Sequence, residues 1–364
     1  MTAANKAKHK PPNSLMSWHG IDGHDDVVEQ FRRALARGRL ASSFLFAGPA
    51  GVGKRTFALK LAQTMLCQTR PEEALDPCGT CPSCAQIIAG THPDLDVVAK
   101  PDDKSFIPLE LLIGQREHRR QEGLCHNLSR KPYLGGHKIA IIDDADHLNA
   151  EGANALLKTL EEPPPRSVLI LIGTTPSKQL PTIRSRCQLV RFRPLSGDTV
   201  AALLVSKGLI SDPDEARRLA RYCEGSIQQA LDLSDPELWS FRNTLHERLS
   251  EATLDSARLT EAVAAFVNDA GKEASARRAR FRQVVAFAAE FYRQLLHGQC
   301  GATLSEDREL QNYVDRALQR GSNDSETTAA RVDRCLDVTT QIDRNANQAT
   351  LIGCWIDDLA RGKD

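Results

Sequence analysis

The sequence has no apolar run long enough to cross a membrane. A membrane-spanning helix needs about 20 apolar residues in succession, and no run of even about 18 is present. Residues 1–18 are polar and basic, and they lack the apolar middle of a signal peptide. We therefore expect a cytoplasmic protein that makes no membrane contact, and we predict that residues 1–18 form a disordered tail.

The sequence also lacks a net charge, because its 47 Lys and Arg residues equal its 47 Asp and Glu residues. A neutral chain is not by itself a strong binder of polyanions. If DNA is a partner, we expect this chain to contact it through a few groups or as one part of an assembly. The sequence shows no internal repeat, and its length of 364 residues suits two or three domains.

Residues 19–193 alternate short apolar strands with helical segments, which is the pattern of an α/β domain with a parallel sheet. Polar residues follow each strand, at the edge where open parallel sheets bind their ligands. We predict strands at 44–47, 138–142 and 168–172.

Helical periodicity replaces the strands after Pro194. We predict a small helical domain at 194–235 and a longer all-α domain at 236–364. Within these domains we predict helices at 199–207, 213–224, 226–233, 276–297 and 327–342.

A glycine-rich segment follows the first predicted strand and precedes a helix. In that context it is typical of a P-loop, whose backbone N–H groups curl around a phosphate while the helix N-terminus points at it. The lysine neutralises charge on the β- and γ-phosphates. The alternative is a glycine turn that only connects a strand to a helix. The candidate phosphate-binding residues are Gly48, Gly51, Gly53 and Lys54.

The residue after the P-loop lysine is unusual. A Ser or Thr normally stands there, and its hydroxyl ligates Mg²⁺, but this chain has Arg55. Thr56 carries a hydroxyl one residue later, about 100° further round the helix, so it should not reach the same ligand position. Binding of ATP with magnesium stays plausible but impaired, and efficient hydrolysis does not follow.

Two acids follow the strand predicted at 138–142. Asp143 fits the residue of a Walker B element that holds Mg²⁺. Asp144 stands where ATPases of this kind usually carry the glutamate that activates water, and a base misplaced by about 1 Å loses much of its rate advantage. The alternative is that these acids only cap the helix that begins near Asn149.

Four of the ten cysteines lie close together in the spacing C-x10-C-x2-C-x2-C. Four thiolates close a tetrahedral zinc shell, and gaps of two residues let neighbouring ligands converge on one ion. A closed shell leaves no open position, so we predict one structural zinc ion per chain in a module at 67–84. Unpaired cysteines or disulfides are the alternative, which clustering in a cytosolic chain disfavours. The predicted ligands are Cys67, Cys78, Cys81 and Cys84.

The segment from Asn154 to Pro164, NALLKTLEEPP, resembles the signature of bacterial clamp-loader subunits, the gamma/tau and delta-prime proteins of DNA polymerase III. Three later motifs are similar to the segment that follows in the same family, namely 174–175, 180–183 and 185–187. The resemblance covers about residues 19–193, and the helical remainder matches only in size and pattern.

The resemblance implies an AAA+ fold, in which the P-loop domain carries a zinc module, 194–235 is a helical lid and 236–364 is a collar. In this family, gamma/tau, delta and delta-prime subunits form a hetero-pentameric ring that places the sliding clamp on primer–template DNA. The resemblance makes Thr174 the sensor near the γ-phosphate. It makes Arg186 an arginine finger that reaches into the ATP site of the adjacent subunit. Without the resemblance, Arg186 would be taken for a surface ion-pair residue.

Three departures favour the delta-prime type over an active gamma/tau type. Arg55 replaces the magnesium-binding hydroxyl, Asp144 replaces the catalytic glutamate, and Gln228 stands where the lid normally carries an arginine. The resemblance therefore implies a subunit with weak or no ATPase activity that lends Arg186 to its neighbour. The alternatives are an active gamma/tau-like ATPase, a scaffold that only joins subunits, and another DNA-acting AAA+ protein such as a helicase loader.

Overall fold

The structure is a computed structural model that describes most of the chain after the predicted tail. The described residues are 18–101, 103–119, 121–134, 136–303, 307–321, 324–344 and 346–361. The tail predicted at 1–18 lies outside them except for Trp18. The chain divides into two units, Met1–Ala230 and Leu231–Asp364. No helix within the described ranges is long and apolar enough to span a membrane.

The first unit contains a parallel five-stranded sheet. Its strands are β1 Ser43–Ala47, β2 Leu95–Val98, β3 Lys138–Ile142, β4 Ser167–Gly173 and β5 Gln188–Arg191. They lie in the order β2-β3-β4-β1-β5, and every neighbouring pair is parallel. The three predicted strands are confirmed as β1, β3 and β4, which are buried throughout. The edge strands β2 and β5 were missed because polar residues, Asp96 in β2 and Gln188 and Arg191 in β5, interrupt or bound their apolar runs.

Helices cover both faces of this sheet. Alternate residues of β1 point to opposite faces, so Phe44 and Phe46 pack on one side and Leu45 on the other. The first side is rich in phenylalanine, and the ring centroid of Phe46 lies 5.9 Å from that of Phe57 and 5.2 Å from that of Phe192. The helices up to the last strand are α1 Asp25–Ala36, α2 Lys54–Met65, α3 Pro82–Ile88, α4 Leu109–Ile113, α5 Leu124–Ser129, α6 Ala150–Glu161 and α7 Pro181–Arg184.

Three helices follow the sheet, close to the positions that the sequence predicted. They are α8 Gly197–Ser206, α9 Pro213–Tyr222 and α10 Ile227–Asp232. Side-chain oxygens fix the first two N-termini, since Ser196 accepts the N–H of Thr199 and Asp212 accepts the N–H of Asp214.

The second unit is helical throughout its described residues. Its helices are α11 Pro236–Leu249, α12 Ser256–Asn268, α13 Ala274–Gln299, α14 Arg308–Arg320, α15 Ser325–Asp343 and α16 Gln348–Arg361. Aspartates cap the N-termini of four of them: Asp235, Asp255, Asp307 and Asp324. The core forms around the long helix α13, which buries Phe281, Phe287, Phe291 and Tyr292.

A buried cation and a buried histidine lie within this helical core. The Arg242 side chain is 0% exposed and its Nη1 atom lies 2.9 Å from the carboxylate of Asp307. One turn later on α11, His246 Nε2 donates to the Phe287 carbonyl at 3.1 Å. Burial, together with the Arg242 charge, lowers the pKa of His246 to about 3. The folded chain therefore keeps this imidazole neutral over the whole pH range in which an exposed histidine would titrate.

We predict that His246 makes the stability of the protein decrease with acid. The unfolded chain protonates this residue near pH 6.5, whereas the folded chain resists protonation down to about pH 3. The contribution is therefore intact above pH 6.5 and falls below it, by up to about 1.4 kcal/mol per pH unit. The free energy of urea unfolding, followed by tryptophan fluorescence at pH 7, 6 and 5, measures it.

The variant His246→Gln can still donate to Phe287 but does not titrate, so its stability should vary less with pH. His118 is exposed, and the control His118→Gln should keep the slope of the wild type. Equal slopes for the wild type and His246→Gln would contradict the prediction.

Candidate functional site

The residues predicted to bind nucleotide meet at the carboxyl edge of the sheet. Strands β1 and β4 end together, because Ala47 pairs with Gly173. The glycine-rich loop after β1 therefore lies beside Thr174, and Asp143 follows β3 on the other side of β4. The structure thus brings these residues together at the edge of the sheet where a ligand was expected from the sequence.

The glycine-rich loop is packed too closely for larger residues. A Cβ atom at Gly48 would lie 2.3 Å from the Phe192 carbonyl oxygen, and one at Gly51 would lie 2.2 Å from Ser226 Oγ. The N–H of Ile227 donates to the Gly51 carbonyl at 3.1 Å. The segment that begins α10 therefore lies directly on the loop, and the glycines are needed for contacts within the chain as well as for any phosphate.

Lys54 does not extend away from the loop. Its side chain is buried, and Nζ donates to the carbonyls of Gly48, at 2.6 Å, and Pro49. Burial lowers the pKa of Lys54, and the nearby carboxylates, Asp143 first, act in the opposite direction. Two of the three N–H groups that a phosphate would use are thus bound to the loop's own backbone.

Arg55 forms an ion pair with the predicted magnesium ligand. Its Nη1 atom lies 3.0 Å from Asp143 Oδ2, and the side chain of Asp143 is only 16% exposed. The other oxygen, Oδ1, accepts the N–H of Asp144. A guanidinium on this carboxylate competes with any divalent cation. The sequence showed that the magnesium-binding hydroxyl is missing at position 55. It did not predict the ion pair between Arg55 and Asp143, because the two residues are 88 positions apart. Thr56, the next residue on α2, is exposed.

Asp144 has a left-handed backbone conformation, with φ of 55°, which is uncommon for a residue other than glycine. Partial desolvation and the neighbouring Asp143 carboxylate raise the pKa of Asp144. The acids do not cap the next helix, since that cap is Asn149, whose Oδ1 accepts the N–H of Gly152 at 2.8 Å. The simple capping alternative is therefore wrong for Asp143 and Asp144.

Thr174 is held by an acid that sequence reasoning did not single out. Asp146 Oδ2 accepts both the N–H of Thr174, at 2.8 Å, and its hydroxyl, at 2.5 Å. The other oxygen accepts the side-chain amide of Gln179 at 3.1 Å. The Asp146 side chain is 8% exposed. Asp146 lies two residues after Asp144, and this nearness to the predicted site was the only hint of its role in the sequence. The sequence spacing does not show that Asp146 contacts the loop after β4.

Arg186 lies on a different loop, after α7. Its Nη2 atom is 2.8 Å from Glu161 Oε1, so the structure does contain the surface ion pair that was the alternative interpretation. Burial raises the pKa of the neighbouring Cys187 thiol to about 12, so this cysteine is inert at neutral pH. A cavity of about 330 Å³ is lined nearby by Leu45, Pro176, Pro181, Arg184, Ser185, Leu189 and Arg191.

The four clustered cysteines meet as the spacing predicted. Their sulfur atoms all lie within 4.8 Å of one another, and those of Cys78 and Cys84 are 3.9 Å apart. A tetrahedral ion with metal–sulfur bonds of about 2.3 Å sets its sulfurs about 3.8 Å apart. Hydrogen bonds from Thr69 and from the N–H groups of Thr80 and Cys81 lower the pKa of Cys78 to about 5, whereas burial raises the pKa of Cys84 to about 12. The spacing of the four sulfur atoms fits a bound metal ion.

A buried polar chain ties this cysteine cluster to the rest of the unit. Ser83 lies between two of the cysteines, and its hydroxyl donates to the Leu66 carbonyl at 2.6 Å. The same oxygen lies 2.8 Å from Nε2 of His92, whose Nδ1 accepts the N–H of Asp94 at 3.0 Å. These bonds fix the neutral His92 with its proton on Nε2. They hold α3 against the end of α2 and the start of β2.

We predict that Thr174→Val destabilises the protein. Valine keeps the shape but loses the hydroxyl that donates to the buried Asp146 carboxylate, and a hydrogen bond to a charged group contributes about 1.5–3 kcal/mol. Thr175 is exposed, and its hydroxyl lies 3.1 Å from the exposed hydroxyl of Ser177. The control Thr175→Val should therefore change the urea unfolding free energy by less than about 0.5 kcal/mol. Equal effects of the two substitutions would contradict the assignment.

The first unit matches a known family over most of its length. Residues 23–196 match the family described as DNA polymerase III, delta subunit. The DNA polymerase III subunit delta' of Pseudomonas aeruginosa is 37% identical over 180 residues, which cover 50% of this chain and 51% of that protein. The delta' subunit of Bacillus subtilis is 33% identical over 208 residues, which cover 57% of this chain and 58% of that protein.

The match extends to a related subunit. The tau subunit of Escherichia coli is 31% identical over 264 residues, which cover 70% of this chain and 39% of that protein. The matched part thus spans about half of each delta' relative and less of tau. These findings confirm the resemblance that the motif at 154–164 indicated. Over residues 23–196, this chain is therefore similar to the delta and delta' subunits of DNA polymerase III.

Proposed function

We propose that this chain is a delta-prime-type subunit of a DNA polymerase III clamp loader. In this proposal it joins gamma/tau and delta subunits in a hetero-pentameric ring, with residues 194–235 as the lid and 236–364 as the collar. The ring loads the sliding clamp on primed DNA, and this chain meets clamp and DNA through the complex. The family that matches residues 23–196 and the names of the two delta' relatives support this proposal.

The observation that carries the delta-prime type is the ion pair between Arg55 and Asp143. A working ATPase needs this carboxylate free for the magnesium ion that bridges the phosphates. In this chain a guanidinium of the same subunit binds the carboxylate instead. We therefore infer that the chain has weak or no ATPase activity of its own.

Two further contacts support the same inference. Lys54 donates to the carbonyls of its own loop, so binding a phosphate would require these bonds to break. The lid segment rests on Gly51, where a Cβ would lie 2.8 Å from the Cβ of Gln228. A neutral amide there cannot replace the charge of the arginine that active relatives use.

Arg186 is the side chain that this subunit would place in the ATP site of its neighbour. A guanidinium brought to a neighbour's triphosphate neutralises the charge that develops on the transferring phosphoryl group. The Arg186 side chain is 34% exposed on a surface loop, so the donor is accessible to a second chain. Hydrolysis in the neighbour would then depend on assembly.

We predict that Arg186→Ala lowers the DNA-stimulated ATPase activity of the reconstituted complex without preventing assembly. The site served by this chain should lose at least about 10³-fold in rate, while the other sites of the ring keep theirs. Steady-state phosphate release measures the rate, and size-exclusion chromatography measures assembly. Arg184 lies two residues earlier and makes no ion pair within the described residues, so Arg184→Ala serves as the charge-matched control.

Unchanged activity of an intact Arg186→Ala ring would remove the finger role. The isolated wild-type chain should hydrolyse ATP negligibly. Robust turnover by the isolated chain would instead favour the active gamma/tau-like alternative.

For the cysteine cluster we propose one structural zinc ion. Four thiolates in a closed shell leave no position for substrate, so the ion would stabilise the module rather than act in chemistry. The ligands would be Cys67, Cys78, Cys81 and Cys84, of which the last two are buried.

We predict one zinc ion per chain in protein purified without a chelator. Mass spectrometry of the metal content measures it. Cys84→Ser should lose the ion and lower the thermal stability, because metal binding to such shells is coupled to folding. Cys300 is exposed and lies outside the cluster, so Cys300→Ser should retain a full complement of zinc. A wild-type chain without zinc would contradict the proposal.

A further inference from the structure

The guanidinium of Arg186 is held by its own chain through three contacts. Nη2 lies 2.8 Å from Glu161 Oε1. Nη1 donates to the Thr182 carbonyl at 2.9 Å and to Ser185 Oγ at 3.3 Å. We call this arrangement the parked position. Its N–H groups are the donors that a phosphate would need, so the parked position and phosphate binding compete for the same atoms.

Helix stability does not explain a glutamate at position 161. Glu161 is the last residue of α6, and the C-terminus of a helix carries partial negative charge that disfavours a carboxylate. The prolines at 163 and 164 prevent the helix from continuing. The carboxylate is therefore placed unfavourably for its own helix, and its ion pair with Arg186 is the interaction that compensates.

The ion pair is specific to Arg186. Arg184 and Arg191 line the neighbouring cavity, yet within the described residues neither forms an ion pair. An exposed arginine on this face can thus remain without a carboxylate partner. Glu161 holds the one arginine that we propose as the finger.

We propose that Glu161 is a positioning residue. It holds Arg186 in the parked position until a nucleotide phosphate bound to the neighbouring subunit displaces the Glu161 carboxylate from the guanidinium. This inference rests on the proposed finger role. A phosphate offers more negative charge and more acceptor oxygens than one carboxylate, so it can displace Glu161 from an exposed pair. Competition from Glu161 raises the ATP concentration that the neighbouring site needs. When the bound triphosphate has displaced Glu161 completely, the rate at saturating ATP is unchanged.

The test is Glu161→Gln in the complex reconstituted with gamma/tau and delta subunits. Glutamine keeps the size of the side chain and removes its charge. The KM for ATP of the site that Arg186 serves should fall about two- to fivefold, as expected for loss of a solvent-exposed ion pair, and the kcat of that site should stay the same. The next residue, Glu162, is also exposed, and the matched control Glu162→Gln should leave both constants unchanged. The double variant Glu161→Gln with Arg186→Ala should behave like Arg186→Ala alone.

The outcomes separate this inference from the proposed function. If Glu161→Gln matches Glu162→Gln while Arg186→Ala lowers kcat, the parked position is overturned and the finger role stands. If Glu161→Gln lowers kcat, Glu161 orients Arg186 inside the ring, and parking is again overturned. If Arg186→Ala leaves kcat unchanged in an intact ring, the finger role fails and the parking inference fails with it.

Discussion

The ion pair between Arg55 and Asp143 is the interaction on which the site depends. A carboxylate at the end of a buried strand needs a cation, and in a magnesium-dependent ATPase the metal ion fills that need. Here a side chain from the start of α2 supplies the charge, 3.0 Å away. The Asp143 carboxylate is thereby neutralised by a side chain of the same subunit. The same substitution that removes the magnesium-binding hydroxyl thus also supplies a replacement for the ion.

The glycine-rich loop keeps its shape for reasons internal to the fold. Close contacts with the Phe192 carbonyl and with Ser226 leave no room for a Cβ at Gly48 or Gly51, and the loop carbonyls satisfy the ammonium of Lys54. The steric constraints on the two glycines act whether or not a nucleotide is bound. A P-loop motif can therefore persist in a chain that has lost the chemistry of a P-loop, and the motif by itself does not establish ATP binding.

The sequence predicted the features that local patterns encode. The strands β1, β3 and β4 were found because their apolar runs are unbroken, and the cysteine cluster was found because metal ligands follow a local spacing. The edge strands were missed because polar residues shorten their apolar runs. The pairs formed by Asp143, Asp146 and Glu161 were also missed. Each pair joins distant segments through a side-chain rotamer, and neither spacing nor periodicity encodes that choice.

Arg55 and Arg186 each form an ion pair with a carboxylate, and the two carboxylates differ greatly in solvent exposure. Asp143 is 16% exposed and also accepts a backbone N–H, whereas Glu161 is 50% exposed at the end of its helix. A carboxylate that is partly desolvated loses more when its cation leaves than one that water can solvate. The carboxylate left without its cation is therefore costlier at Asp143 than at Glu161, although the Arg55 side chain is 55% exposed and that of Arg186 is 34% exposed. This difference in burial is what would let one chain retain the first guanidinium for itself and release the second to a neighbour.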